Sequence, residues 1–229
     1  MAKLTIDEQI EQGLLLTNES KAPEMVRRFI TKYRETYGPK AKRNIRRSNE
    51  WFMQRISKDN RISKDKAFKQ FGESFKSRTP KDRGLIGRMF LYKYDPKHKE
   101  TLPVWDGNPL VFFFNTFIGD GNYGEKGVQY LLGINVHYLR PRDRLFLFSN
   151  IVKFNNDTAL REKSRLKLTW NVLKSFAAAQ EAQHAVKMYR ADHIRTQLIE
   201  INPRYWEVVM FLQIQNFVKG SNKLAWKRK

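Results

Sequence analysis

Lys40, Lys42, Arg43, Arg46, Arg47 and Arg55 put six cations into sixteen residues. On a helix, Arg43, Arg46, Arg47 and Arg55 fall within one broad arc, a ladder suited to the evenly spaced phosphates of a nucleic-acid backbone. Arginine forks meet phosphate oxygens at two points, a geometry that a merely solvated surface does not need. A basic but idle helix face would have the same spacing. The whole chain tips the choice: 44 Lys and Arg stand against 23 Asp and Glu, a net charge of +21 over 229 residues. That is far beyond the magnitude of ~2–8 that keeps a small domain soluble. Such self-repulsion calls for a polyanion nearby. Lys227, Arg228 and Lys229 form a second, smaller patch. All nine residues are expected to contact phosphates, and none to read bases.

Tyr33, Tyr37, Trp51 and Phe52 lie among the first group of cations, as rings that stack on bases would. Most also fall on apolar helical stripes, which makes core packing the preferred reading. Trp226 in the basic tail fits no periodicity. Catalytic chemistry finds less support. With no cysteine, thiol nucleophiles, disulfides and thiolate metal sites are excluded. His98, His137, His184 and His193 form no HExxH pair or tight ligand cluster. His137 reads as a packed histidine, because nothing near it in sequence nominates a partner carboxylate. The Gly119–Gly127 loop could turn amides toward a phosphate, but it lacks the Gly-Lys-Ser/Thr ending of a nucleotide loop, and a hairpin connection is the better reading. Asp95, Asp106 and Asp120 fall in turns of one region and leave only a weak case for a nuclease-type metal site. Neither an enzyme nor a cofactor is expected.

The elements that position these residues follow the charge. Residues 1–20 carry a net −3, 21–83 a net +13, 84–160 a net +2 and 161–229 a net +9. The basic block 21–83 reads as helices over about 22–38, 42–56 and 63–75. Between about 86 and 139 the period changes. Met89–Tyr94, Leu110–Phe114 and Val128–Leu139 read as strands, joined by a turn at Asp95–Lys99 and the glycine loop. Helices are expected from Pro141 to about Phe154, from Asp157 or Thr158 to Ala179, and over Glu181–Tyr189. Leu198–Ile201 and Trp206–Ile214 look strand-like on either side of Asn202-Pro203. The fold expected is α+β: a small central antiparallel sheet, open or curled toward a barrel, with packed helices. Residues 1–83 form a basic helical N-terminal region and 84–229 the α+β domain. No segment approaches ~18 uninterrupted apolar residues. The opening MAKLTIDEQIEQG lacks the layout of a signal peptide. Neither a membrane-spanning nor a secreted chain is expected.

Arg88 to Pro103, then Asp106 and Asn108 to Val111, then Leu132 to Leu139 have a cadence that resembles the DNA end protector family of large contractile-tailed (T-even-type) bacteriophages. Pro203 to Leu212, with Phe217 and Trp226, is similar to that family's ending. The resemblance covers about 88–139 and 190–229 and leaves the helical arm unplaced. Gly119 to Val128 reads as a local insertion against its pattern. The resemblance implies a non-catalytic virion protein in the capsid interior or neck, passing through the host cytoplasm. Its partners would be double-stranded DNA at the genome termini, shielded from host exonuclease, and other virion proteins. Two rivals stand beside it. One is a neck, tail or baseplate protein whose basic faces meet acidic neighbours. The other is a magnesium-dependent nuclease that would lose activity on substitution of Asp95 or Asp106.

Overall fold

The structure, a computed structural model, describes residues 61–62, 84–140, 143–144, 147–148, 150–151, 170–177, 182–209 and 214–227. Eight strands are present among them: β1 (Arg61–Ile62), β2 (Met89–Leu91), β3 (Trp105–Asp106), β4 (Leu110–Ile118), β5 (Gln129–Asn135), β6 (Val186–Arg190), β7 (Leu198–Glu200) and β8 (Phe217–Val218). Six form an antiparallel sheet in the order β1-β7-β2-β4-β5-β6, and β3 pairs with β8 in a separate ribbon. The protein is therefore α+β with a central antiparallel sheet, as its periodicity predicts.

Both faces of the sheet are buried, which explains why β2 and β4 read as continuous apolar runs rather than as alternating ones. Met89, Leu91, Leu110, Phe112 and Ile134 lie on one face; Phe90, Val111, Phe113, Leu131, Tyr189 and Leu198 lie on the other. Their registers agree, with Met89 opposite Phe112 and Phe90 opposite Val111. Gly133 in β5 stands opposite Phe113, and a Cβ there would run into the Val111 side chain and the Phe112 carbonyl. The glycine is the space that lets these large residues close up.

The first face is covered by helical residues. Phe148 and Trp206 meet Phe112 with ring centroids 5.8 and 5.0 Å away, and Leu147, Ile151, Leu173 and Val209 complete the layer. Fully burying a side chain of this size contributes roughly 1.5–3 kcal/mol. The indoles also tie the layer down by hydrogen bonds, Trp206 Nε1 to the Ile201 carbonyl at 2.9 Å and Trp170 Nε1 to that of Phe114 at 2.8 Å.

The second face is concave. β2 and β6 are three places apart in the sheet, yet Tyr94, just beyond β2, meets the Tyr189 ring edge-on at 4.9 Å. The Tyr94 hydroxyl accepts from the Arg190 amide at 3.1 Å. The chain then bridges Ile194 to Tyr94 on its way from β6 to β7. The sheet curls strongly but does not close, since β1 and β6 remain its two edges.

Several expectations change. Residues 183–185 form a 3₁₀ turn and 186–190 are strand β6, not a helix over 181–189. Pairing with β5 places Val186 and Tyr189 on opposite faces, a gain that no local pattern displays. Trp206–Val209 is helical rather than extended. Pro203 opens a 3₁₀ turn that leads into it, and Trp206 and Val209, three apart, both face the sheet, overriding valine's strand preference. The strand expected to reach Leu139 stops at Asn135, whose side chain accepts from the His137 amide and caps a 3₁₀ turn over Val136–Tyr138. The described residues of the helices expected over 141–154 and 157–179 are helical. The helices expected over 22–38, 42–56 and 63–75 lie outside the described residues.

Candidate nucleic-acid interface

Lys40, Lys42, Arg43, Arg46, Arg47, Arg55, Arg228 and Lys229 lie outside the described residues. Lys227 is described and exposed, two residues past the short helix Asn222–Ala225, which Ser221 caps. What fixes this tail to the sheet domain is Trp226, the ring that sequence periodicity left unexplained. Its indole Nε1 donates to the His137 carbonyl at 2.9 Å, and the buried Arg144 guanidinium sits 5.9 Å from its centroid. Trp226 is an anchor for the basic tail, not a free stacking ring. Lys219 is anchored too, donating to the Lys99 and Glu100 carbonyls at 3.1 and 2.9 Å.

Several described surface cations are matched by carboxylates. Lys97 and Arg190 both hold Glu125, and Arg190 also holds Asp192. Lys99 and Arg195 hold Asp95, and Arg88 holds Glu200 at 2.7 Å. The hydrogen bond from Lys97, then that from Arg190, lowers the Glu125 pKa to about 2. Lys99 chiefly, with Arg195, lowers that of Asp95. Of the chain's 44 basic and 23 acidic residues, the described ones hold 16 and 9, a net +7. The remaining 28 and 14 leave +14, two thirds of the excess, elsewhere in the sequence.

A buried polar centre lies between the sheet and the tail. The Asp106 carboxylate accepts from His137 Nδ1 at 2.6 Å, Asn135 Nδ2 at 3.2 Å, and the backbone amides of Asn108 and Asn216 at 3.0 and 3.1 Å. Asn135 also donates to the Tyr189 hydroxyl at 2.9 Å. Burial pushes the Asp106 pKa up, but His137 and the two amides outweigh it, so the group stays ionised. Burial lowers the His137 pKa against the opposing pull of Asp106, and the ring is neutral at pH 7 with its proton on Nδ1. His137 thus has the carboxylate partner that its sequence neighbourhood does not nominate, 31 residues away. The centre ties β3, the end of β5 and the chain leading into β8 together. With His137 completely buried, it is a structural hub.

The other candidates separate. Asp95 is in a surface ion-pair cluster, Asp106 is the buried hub, and Asp120 caps a turn by accepting from the Asn122 and Tyr123 amides. Among the described residues, no three His, Asp or Glu side chains gather into a group that could hold a metal. His184 and His193 each bond a backbone carbonyl, of Tyr138 and Asp95. The glycine loop joins β4 to β5 as a hairpin, and most of its amides turn inward. Gly119 donates to Val128, Gly121 to Gly124, and Gly127 to Gly119, so the loop does not form a phosphate cradle. Among the described residues, no helix is long and apolar enough to cross a membrane.

Fold and charge together define a curled-sheet α+β protein whose described residues carry one third of the net positive charge and the rest of the chain two thirds. The chain matches the phage T4 terminal DNA protecting protein family over residues 3–228 and belongs to that family. The match takes in the basic arm as well as the two segments whose cadence resembles it, and the role the family's name gives is protection of phage DNA ends. No curated protein and no solved structure matches the chain.

Proposed function

We propose that this protein protects phage DNA ends by binding duplex backbone there without catalysis, so that a host exonuclease finds the terminus occupied. Lys40, Lys42, Arg43, Arg46, Arg47 and Arg55 are the principal phosphate contacts, with Lys227, Arg228 and Lys229 a second patch. The observation that carries the reading is family membership spanning the basic block as well as the sheet domain. The charge pattern supports it. In the sheet domain, Arg88, Lys97, Lys99, Arg190 and Arg195 are held by carboxylates, whereas 21–83 holds 20 basic residues against 7 acidic ones. Phosphate-directed binding of this kind needs no sequence readout. Protection is steric, and the protein stays on the DNA within the virion beside other virion proteins.

Binding to a blunt linear duplex and to a closed circle of matched sequence, across a salt series, tests this. Tighter linear binding at every salt is expected, with a log–log slope reporting roughly 6–10 phosphates. Equal affinity for the two forms would remove the end-specific role, and loss of all binding by physiological salt would remove the DNA role.

A further inference from the structure

We infer that Tyr123, at the tip of the β4–β5 hairpin, is a stacking platform for the terminal base pair of a DNA duplex. This rests on the end-binding reading above and supplies what that reading lacks, a group able to tell an end from internal duplex. Phosphates run the whole length of DNA, so a ladder of cations engages both alike. The surface that exists only at a blunt end is the π-face of the last base pair. Reading it takes an aromatic ring that is exposed, rigidly carried and not already engaged by the protein.

Tyr123 meets these three conditions. At 76 % exposure it is the most open large apolar side chain among the described residues. Among those residues its ring packs on no other ring and its hydroxyl makes no hydrogen bond. The loop beneath it is stiff. Asp120 Oδ1 accepts from the Asn122 and Tyr123 amides at 2.9 and 2.8 Å, and Gly121 and Gly127 donate across the loop to Gly124 and Gly119 at 3.1 and 2.9 Å. Gly124 takes a φ of 80° directly against the Tyr130 ring, where a Cβ would clash. The Tyr130 hydroxyl accepts from the Glu125 amide at 2.8 Å, and its ring stacks on Phe117 at 5.2 Å. The ordering cost of presenting the ring is therefore met on folding rather than on binding.

Local charge suits a base face better than a backbone. Glu125 is matched by Lys97 and Arg190, Asp120 and Lys126 carry opposite charges on the same loop, and most of the loop's amides are turned inward, so the tip offers a ring in place of a phosphate grip. The tyrosine would thus choose the end, and the cations elsewhere in the chain would supply the affinity.

The test uses the full chain, its Tyr123→Ala and Tyr123→Trp variants, a blunt duplex and a matched circle. The duplex carries 2-aminopurine at either its terminal or its central base pair. In the unsubstituted protein, fluorescence should change at the terminal probe and not at the central one. Tyr123→Ala should abolish that change and weaken linear binding roughly five- to hundredfold, leaving circle binding and the thermal midpoint as they were. Tyr123→Trp should retain both the signal and the preference. If Tyr123→Ala keeps the linear preference and the terminal signal, the platform is wrong and end binding stands. If the unsubstituted protein shows no preference for linear DNA, both fall.

Discussion

Residues 84–140 and residues 21–83 are of similar length and use charge in opposite ways. In the first, 6 basic side chains accompany 5 acidic ones, and Lys97, Lys99 and Arg88 lie in ion pairs. In the second, 20 basic residues face 7 acidic ones, and no arrangement of internal pairs could neutralise them. Exposed ion pairs are individually weak, so the pairing on the sheet domain matters less for stability than for what it withholds: cations already matched to carboxylates make poor phosphate contacts. The difference teaches a division of labour. The sheet holds the buried hub, to which 21–83 adds the edge strand β1, and under the proposed function the excess cations of 21–83 supply attraction to a polyanion.

The largest expected effect separates the two regions most sharply. Replacing Lys40, Lys42, Arg43, Arg46, Arg47 and Arg55 with Gln should make the log–log salt slope of DNA binding shallower by about 5 and weaken binding by about four orders of magnitude near physiological salt. The unfolding midpoint should not fall. A slope unchanged in filter binding or fluorescence titration would assign the phosphate contacts elsewhere. Asp106→Ala should act the other way round. It strands four donors, those of His137 and Asn135 buried, and should cost about 3–5 kcal/mol in denaturant unfolding, with the salt slope intact; a loss below about 1 kcal/mol would deny Asp106 its role as hub. Gly124→Ala forces a side chain into the left-handed region and against Tyr130, and should cost about 1–3 kcal/mol, read as a lowered melting temperature.

Acid should expose a smaller effect confined to the sheet domain. The folded pKa of His137 lies below its ordinary 6.5, so as pH falls through that value the unfolded chain takes up a proton that the native state refuses. Stability from this group is complete above pH 6.5 and is lost as pH falls toward the folded value. Asp106, also lowered, adds a second loss below its ordinary 3.8. Melting temperatures recorded from pH 8 to pH 3 should be level at first and then fall from about 6.5. In His137→Gln the first decline should be smaller.

The same contrast between regions explains what sequence alone reveals. β2, β4 and β5 are legible because aromatic and β-branched runs of strand length are bounded by Pro, Asn and Gly turns, and burial of both faces leaves those runs unbroken. β6 is not legible, because Val186–Arg190 becomes a strand only by pairing with β5, more than fifty residues earlier in the chain. β3 and β8 are two residues each and carry no period. The His137–Asp106 pair is hidden for a similar reason. Each residue is ordinary in its own neighbourhood, and the antiparallel pairing of β4 with β5, which sets Val111 opposite Asn135, brings them together. Trp226 fits no period because its partners, the His137 carbonyl and the Arg144 guanidinium, lie more than eighty residues earlier in the chain. The cationic ladder is legible as composition and spacing, and its phosphate role remains a proposal to be tested by the six-residue variant.

The most direct test of the central claim is exonuclease digestion of a long linear duplex at increasing ratios of protein to DNA ends. The account predicts that digestion by a processive duplex exonuclease stops when a few copies are present per end, while an endonuclease still cuts the interior freely. Protection that appears only when the whole duplex is coated, or digestion at an unchanged rate, would contradict it.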